Sequence, residues 1–95
     1  MDRPDLELVQ AIRQHGTLAA AARAIGIAAP AATKRLAAIE ARLGVRLFQR
    51  TTRRVSPTAE GETVCERAAD LLRGFDMLES ELRERIVRAL TDLGG

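Results

Sequence analysis

Nine apolar residues, Val64, Ala68, Leu71, Phe75, Leu78, Leu82, Ile86, Leu90 and Leu93, follow one another at intervals of 4, 3, 4, 3, 4, 4, 4 and 3. At this spacing they form one stripe along a single helix, close to the heptad seam of a coiled coil. A helix from Thr58 to Leu93 is a rod of about 50 Å. The chain has only 95 residues, so what precedes the rod can cover its start but not its far end. The seam therefore asks for a second copy of itself. The chain divides by role into a head, residues 1–57, and a dimerisation or linker helix, residues 58–95. Gly74 lies inside the rod, where glycine costs about 1 kcal/mol relative to alanine, and is a candidate bend.

Glycine and proline cut the head into short helical pieces. Leu6, Val9 and Ile12 recur at three-residue steps with Arg13 and Gln14 turned away, and Gly16 supplies the stop. Thr17 stands at an N-cap position. The Ala-rich run Leu18 to Ile25 follows as a second, short helix whose Ala21-Ala22 pair lets a neighbour approach closely. Gly26-Ile27-Ala28 is a tight turn with an apolar residue inside it. From Ala29 to Leu43 the pattern is two-faced: Ala32, Leu36, Ile39 and Leu43 fall on one side, and Pro30, Thr33, Lys34 and Ala37 nearly opposite. Pro30 is tolerated in the first turn and Gly44 closes this third helix. In Val45 to Pro57, Leu47-Phe48 is an apolar anchor. The cationic stretch Arg50-Thr51-Thr52-Arg53-Arg54-Val55-Ser56 has room for two short strands and a turn. Thr58 is the next N-cap, and Glu60 in the first turn suits the helix dipole.

Phe48 and Phe75 are the only aromatic residues, so the core must be built from closely packed Ala, Leu, Ile and Val, which favours helices. A single Cys65 and a single His15 exclude a disulfide framework, a zinc site made by this chain, and Cys/His or Ser/His catalytic units. Cys65 is expected to be a small buried residue, His15 a partner of a helix dipole, and Glu40 a surface ion-pair partner of a nearby Arg. No constellation supports an enzyme, and no cofactor is implied. No apolar run approaches the roughly 18 to 20 residues that span a bilayer, and no signal core follows Met1, so a soluble cytoplasmic chain without membrane association is expected. The net charge is +2, but its distribution is uneven: residues 1–61 hold ten Lys/Arg against five Asp/Glu, residues 62–95 five against eight. Between Arg23 and Arg54 there are eight basic residues and one acidic. A cationic half joined to an acidic half suggests a polyanion-binding module with a separate assembly element.

Two short helices joined by a Gly-containing turn, followed by a basic hairpin, predict a mainly α winged helix-turn-helix. A helix enters a major groove about 12 Å wide only if its outward residues are neither bulky nor acidic. Ala29, Pro30, Thr33 and Ala37 meet that condition. Lys34 can reach a phosphate or a guanine edge, and Arg53 and Arg54 at a hairpin tip can straddle the backbone or place a guanidinium in a narrow minor groove.

Gly16-Thr17-Leu18, Ala21-Ala22, Ile25-Gly26-Ile27, Pro30-Ala31, Thr33-Lys34, Ile39-Glu40, Leu43-Gly44-Val45, Leu47-Phe48-Gln49-Arg50, Arg53, Thr58 and Gly61 together resemble the LysR-type transcriptional regulators of bacteria, across essentially the whole chain. The resemblance implies a winged helix-turn-helix, a long last helix that pairs with its twin, and a dimer that reads an inverted repeat in double-stranded DNA. It also implies a larger effector-binding domain beyond the linker helix, absent from these 95 residues, so the chain resembles an excised DNA-binding fragment; higher oligomers would need the longer protein. With the resemblance, Thr17, Ala28, Arg35 and Arg50 join Ala29, Pro30, Thr33, Lys34, Ala37, Arg53 and Arg54 as DNA-binding candidates. Val64, Ala68, Leu71, Phe75, Leu78, Leu82 and Ile86 are the dimer-interface candidates.

The sequence departs from the family at one place. The family usually starts its third helix with Ser-Gln-Pro, the Ser capping and contacting phosphate and the Gln reading a base edge; here Ala28-Ala29-Pro30 stands instead. Losing the cap costs about 0.5 to 2 kcal/mol, and losing a bidentate Gln about 1 to 3 kcal/mol of discrimination at one base. Binding that leans on phosphates and on the wing is expected. The alternative is a helical dimerisation module whose DNA readout is weakened or lost.

Overall fold

The computed structural model describes residues 1–51 and 53–94; Thr52, one residue of the expected cationic hairpin, and Gly95 lie outside the described residues. The order of elements is α1 (Arg3–His15), α2 (Leu18–Ile25), α3 (Ala29–Leu43), β1 (Phe48–Arg50), β2 (Val55–Pro57) and α4 (Ala59–Gly94). This is the mainly α winged helix-turn-helix with a long last helix that the sequence predicts.

Local chemistry sets the boundaries. α1 opens with a reciprocal box that the sequence reading missed: the Asp5 N–H donates to the Asp2 carboxylate at 3.0 Å, and the Asp2 N–H to the Asp5 carboxylate at 3.3 Å. Thr17 caps α2 by accepting from the Ala20 N–H at 3.1 Å. Thr58 caps α4 by accepting from the Gly61 N–H at 3.0 Å, while its own hydroxyl donates to the Arg46 carbonyl at 2.7 Å. α1, α2 and α3 all close on a glycine in the left-handed region, Gly16, Gly26 and Gly44, at φ 74°, 76° and 74°.

The core is contributed by every element of the head. Leu8, Val9 and Ile12 of α1 meet Ala21 and Ala22 of α2, Ala32, Leu36 and Ile39 of α3, then Leu47, Phe48 and Cys65. α1 touches α2, α3 and α4, which is why Leu8 and Ala11 are buried beside the expected Leu6, Val9 and Ile12: a helix covered from several sides outgrows a single stripe. Cys65 is buried as expected, its Sγ 3.8 Å from the Val9 carbonyl, and desolvation pushes its thiol pKa up against the opposing field of Arg13.

Three expectations are corrected, at Leu43, Ala68 and Glu40. Leu43, assigned to the core face of α3, is 42% exposed, because the last turn of α3 runs past the edge of the head. Ala68, assigned to the dimer seam, is completely buried within the chain itself, whereas Val64 is half-buried and packed against the core cluster. Gly61, Cys65 and Ala68 of α4 are the residues of that helix buried against the head. Gly74 lies inside α4, which is helical throughout from Ala59 to Gly94. Glu40 pairs with backbone rather than with an Arg: its carboxylate accepts from the N–H of Leu47 at 2.7 Å and of Phe48 at 3.3 Å.

The hairpin is antiparallel, with Phe48 opposite Pro57, Gln49 opposite Ser56 and Arg50 opposite Val55. It is held at three points besides the Glu40 carboxylate. The Val55 N–H donates to the Gly16 carbonyl at 2.9 Å, and the Thr58 N–H to the Leu47 carbonyl at 2.9 Å. At the third, α4 passes so close that a Cβ on Gly61 would lie 1.9 Å from the Leu47 carbonyl oxygen, so only glycine fits.

Beyond Ala68, α4 leaves the head and draws the molecule out to 63 × 24 × 20 Å. Two ion bridges flank the contact between α1 and α4: Arg13 to Glu62 at 2.7 Å, and Arg3 to Asp76 at 2.7 Å and Glu79 at 3.3 Å. Hydrogen bonds from Arg3 to Asp76 and then Glu7 raise the guanidinium pKa further. Among the described residues no helix is long and apolar enough to cross a membrane.

Candidate nucleic-acid interface

The outward face of α3 is built from small residues because its inward face is occupied by Ala32, Leu36 and Ile39. Ala28, Ala29, Pro30, Lys34 and Ala37 are exposed, and Thr33 and Arg35 are half-buried. The entry into α3 is fixed from behind. The Ile27 N–H donates to the Ala22 carbonyl at 2.9 Å, and Ile27 packs against the core, so the helix-turn-helix angle does not depend on the missing cap. Ala28 has φ −72° and ψ 146° and makes no side-chain cap, which leaves the first turn of α3 without the oxygen that Ser would supply.

Thr33 is the one hydroxyl on this face, and it donates to the Ala29 carbonyl at 3.2 Å. Its oxygen keeps lone pairs able to accept from a base amino group, but its proton is engaged within the helix. Glu40 is the one acidic residue between Arg23 and Arg54. Its carboxylate is turned onto the backbone that enters β1, so the same contact anchors the wing and occupies the only negative charge of this segment.

Arg50, Arg53 and Arg54 are all exposed. The tip is tied by the Thr51 N–H donating to the Arg54 carbonyl at 2.8 Å and by the Arg54 N–H donating to the Thr51 hydroxyl at 3.2 Å. An open depression of about 660 Å³ between α3 and the wing is lined by Thr33, Ala37, Glu40 and Arg50, together with Arg46. A second depression is lined by Arg46, Gln49, Arg50 and Thr51. The structure thus brings Arg50 beside the α3 face and adds Arg46, which the sequence reading missed. Its signal was present: Arg46 is the exposed residue directly before the buried Leu47-Phe48 anchor. Thr17 stands at the α2 cap, with its hydroxyl oxygen engaged by Ala20.

The far part of α4 presents a different surface. Leu71, Phe75, Leu78, Leu82 and Ile86 are between 44% and 60% exposed, so within one chain the expected seam is bare.

Comparison with known proteins agrees with this geometry. The model of a family described as bacterial regulatory helix-turn-helix protein, lysR family, matches residues 4–62. An HTH-type transcriptional regulator of Mycobacterium tuberculosis, itself uncharacterised, is 42% identical over 87 residues, which cover 84% of this chain and 28% of that protein. The HTH-type transcriptional regulator ClcR of Pseudomonas putida is 42% identical over 72 residues, 76% of this chain and 24% of that one. The chain thus spans about a quarter of the length of the curated relatives it matches. Among solved structures, the DNA-binding domain of CbnR in complex with DNA superposes with a TM-score of 0.84 at 31% identity, covering 88% of this chain and 97% of that one. The DNA-binding domain of BenM on benA site 1 DNA gives 0.84 at 27% identity, with 88% and 94% coverage. The two curated relatives are both named as HTH-type transcriptional regulators. The chain belongs to the LysR family of bacterial regulatory helix-turn-helix proteins.

Proposed function

We propose that this chain binds double-stranded DNA sequence-specifically as a homodimer and, within a longer protein, regulates bacterial transcription in the cytoplasm. The observation that carries the reading is the small, acid-free face of α3 standing beside an arginine-bearing wing, with the one intervening carboxylate turned onto backbone. That the DNA-binding domains of CbnR and BenM superpose on this chain in their DNA complexes supports the same docking. α3 lies in the major groove, where Ala29, Pro30 and Ala37 offer methyl and methylene surface to thymine and Thr33 offers an acceptor. Lys34, Arg35, Arg50, Arg53 and Arg54, with Thr17 and Ala28 at the helix starts, face phosphates. Two copies join through Leu71, Phe75, Leu78, Leu82 and Ile86 of α4, and the resulting two-fold axis makes an inverted repeat the matching site.

The reading is tested by titrating the chain into duplexes with and without an inverted repeat at two salt concentrations, with sedimentation alongside. Dimers whose affinity falls steeply with salt and is higher for the repeat are expected. Dimers with no salt-dependent affinity for any duplex would replace this reading with that of a bare assembly module.

A further inference from the structure

Arg3, the first residue of α1, reaches across to α4, where it meets Asp76 at 2.7 Å and Glu79 at 3.3 Å; its guanidinium also lies 5.9 Å from the centre of the Phe75 ring. Its remaining contact is to Glu7 of its own helix, at 3.1 Å. Asp76 and Glu79 lie two turns or more past Ala68, the last residue of α4 buried in the head. Between Ala68 and Asp76 stands Gly74, around which a Cβ would find no atom within 4 Å. Glycine inside a helix costs about 1 kcal/mol relative to alanine, which makes this the softest position between the head and the Arg3 contacts. A compliant point thus separates the part of α4 fixed by the core from the part gripped by Arg3.

We propose that Arg3 is a positioning residue: by tying the start of α1 to Asp76 and Glu79 it fixes the direction in which α4 leaves the head, and so the half-site separation that the dimer accepts. The inference rests on the reading of α4 as the dimer helix. The leverage is geometric. From Asp76 to Gly94 the helix extends about 27 Å at 1.5 Å per residue. A swing of about 7° moves the end of such an arm by about 3.4 Å, the rise of one base pair. Charged contacts to two carboxylates of one helix and an aromatic ring beside them restrict such a swing in more than one direction, which a single surface pair does not.

The experiment uses random-sequence duplexes of about 40 base pairs, long enough for two half-sites one helical turn apart. They are enriched on the wild-type chain, on Arg3→Glu and on Arg3→Glu/Asp76→Arg, and the bound pools are sequenced. All three pools should share one half-site sequence. Wild type should concentrate at a single spacing, Arg3→Glu should spread or move by about one base pair, and the charge-swapped variant should narrow again. A spacing distribution in Arg3→Glu equal to wild type overturns the inference and leaves the dimer reading standing. A swap no narrower than the single variant overturns it too, because the loss then comes from damage to α1 and not from the pairing with Asp76. A changed half-site sequence in Arg3→Glu overturns it as well, since the head itself would have altered. A wild-type pool without paired half-sites removes the dimer reading, and this inference with it.

Discussion

Leu36 and Leu82 both stand at inward-repeating positions of an amphipathic helix, yet Leu36 is 1% exposed and Leu82 49%. The first lies in α3, which the head wraps; the second lies in α4 after it has left the head. Periodicity shows that a side chain needs cover but not what supplies it. The supplier follows from length, because three short helices and a hairpin can fully bury residues of α4 only as far as Ala68. The head is closed upon itself. The arm is half of something.

The sharpest way to break this comparison is Leu78→Glu. In a paired seam it introduces two facing charges, and an uncompensated buried charge costs about 3 to 5 kcal/mol. Sedimentation should show monomer while the head melts as before. A variant that remains dimeric would move the interface off this stripe. Next in size is a matched pair of truncations. Leu36→Ala empties core volume and should destabilise the head by about 2 to 5 kcal/mol in denaturant unfolding. Leu82→Ala should leave that transition in place and weaken only the concentration-dependent association. Equal effects on the head would mean that the two leucines are not in different environments.

How much of this was legible in the sequence depends on whether the determinant was local. Gly16, Thr17, Gly26, Gly44 and Thr58 act within one helical turn of themselves, and each ends or begins an element where the sequence places it. Contacts across the fold were not legible. Glu40 reaches seven residues on to the Leu47 N–H, and Arg3 more than seventy to Asp76; no periodicity encodes either. Ala68 is buried in the head although it lies on the seam's stripe, because the head's core and the expected seam occupy one continuous stripe, and only the path of α4 over α1 shows where one passes into the other. On the DNA face, the small residues and arginines were legible as types. That Thr33 bonds back to Ala29, and that Arg46 lines both depressions beside Arg50, required coordinates.

A third prediction sharpens the contrast between the scaffold of the head and its reading surface. Ala28→Ser/Ala29→Gln restores an oxygen at an uncapped helix start and an amide beside it. The cap should raise stability by about 0.5 to 2 kcal/mol in a melting scan. The amide should add about 1 to 3 kcal/mol of preference at one base pair per half-site, read from single-base variants of a bound repeat, because a first-turn side chain reaches only its nearest base edge. If the variant melts higher with an unchanged base profile, the first turn of α3 is scaffold and not reader.

The smallest expected effect is at Arg53, on the wing tip. Phosphate contacts carry no sequence information, and each one neutralised contributes about −0.9 to the slope of log affinity against log salt on B-DNA. Arg53→Ala should therefore weaken binding to repeat and non-repeat duplexes by the same factor and flatten the slope by about that amount. The exposed position of Arg53 at a hairpin tip also suits a second geometry, insertion into a narrow A·T-rich minor groove, where shape is read as energy. The two separate on one measurement. A loss shared by all duplexes assigns Arg53 to the backbone, whereas a loss confined to repeats with A·T-rich flanks makes the wing a second reader and moves part of the specificity from α3 to the hairpin.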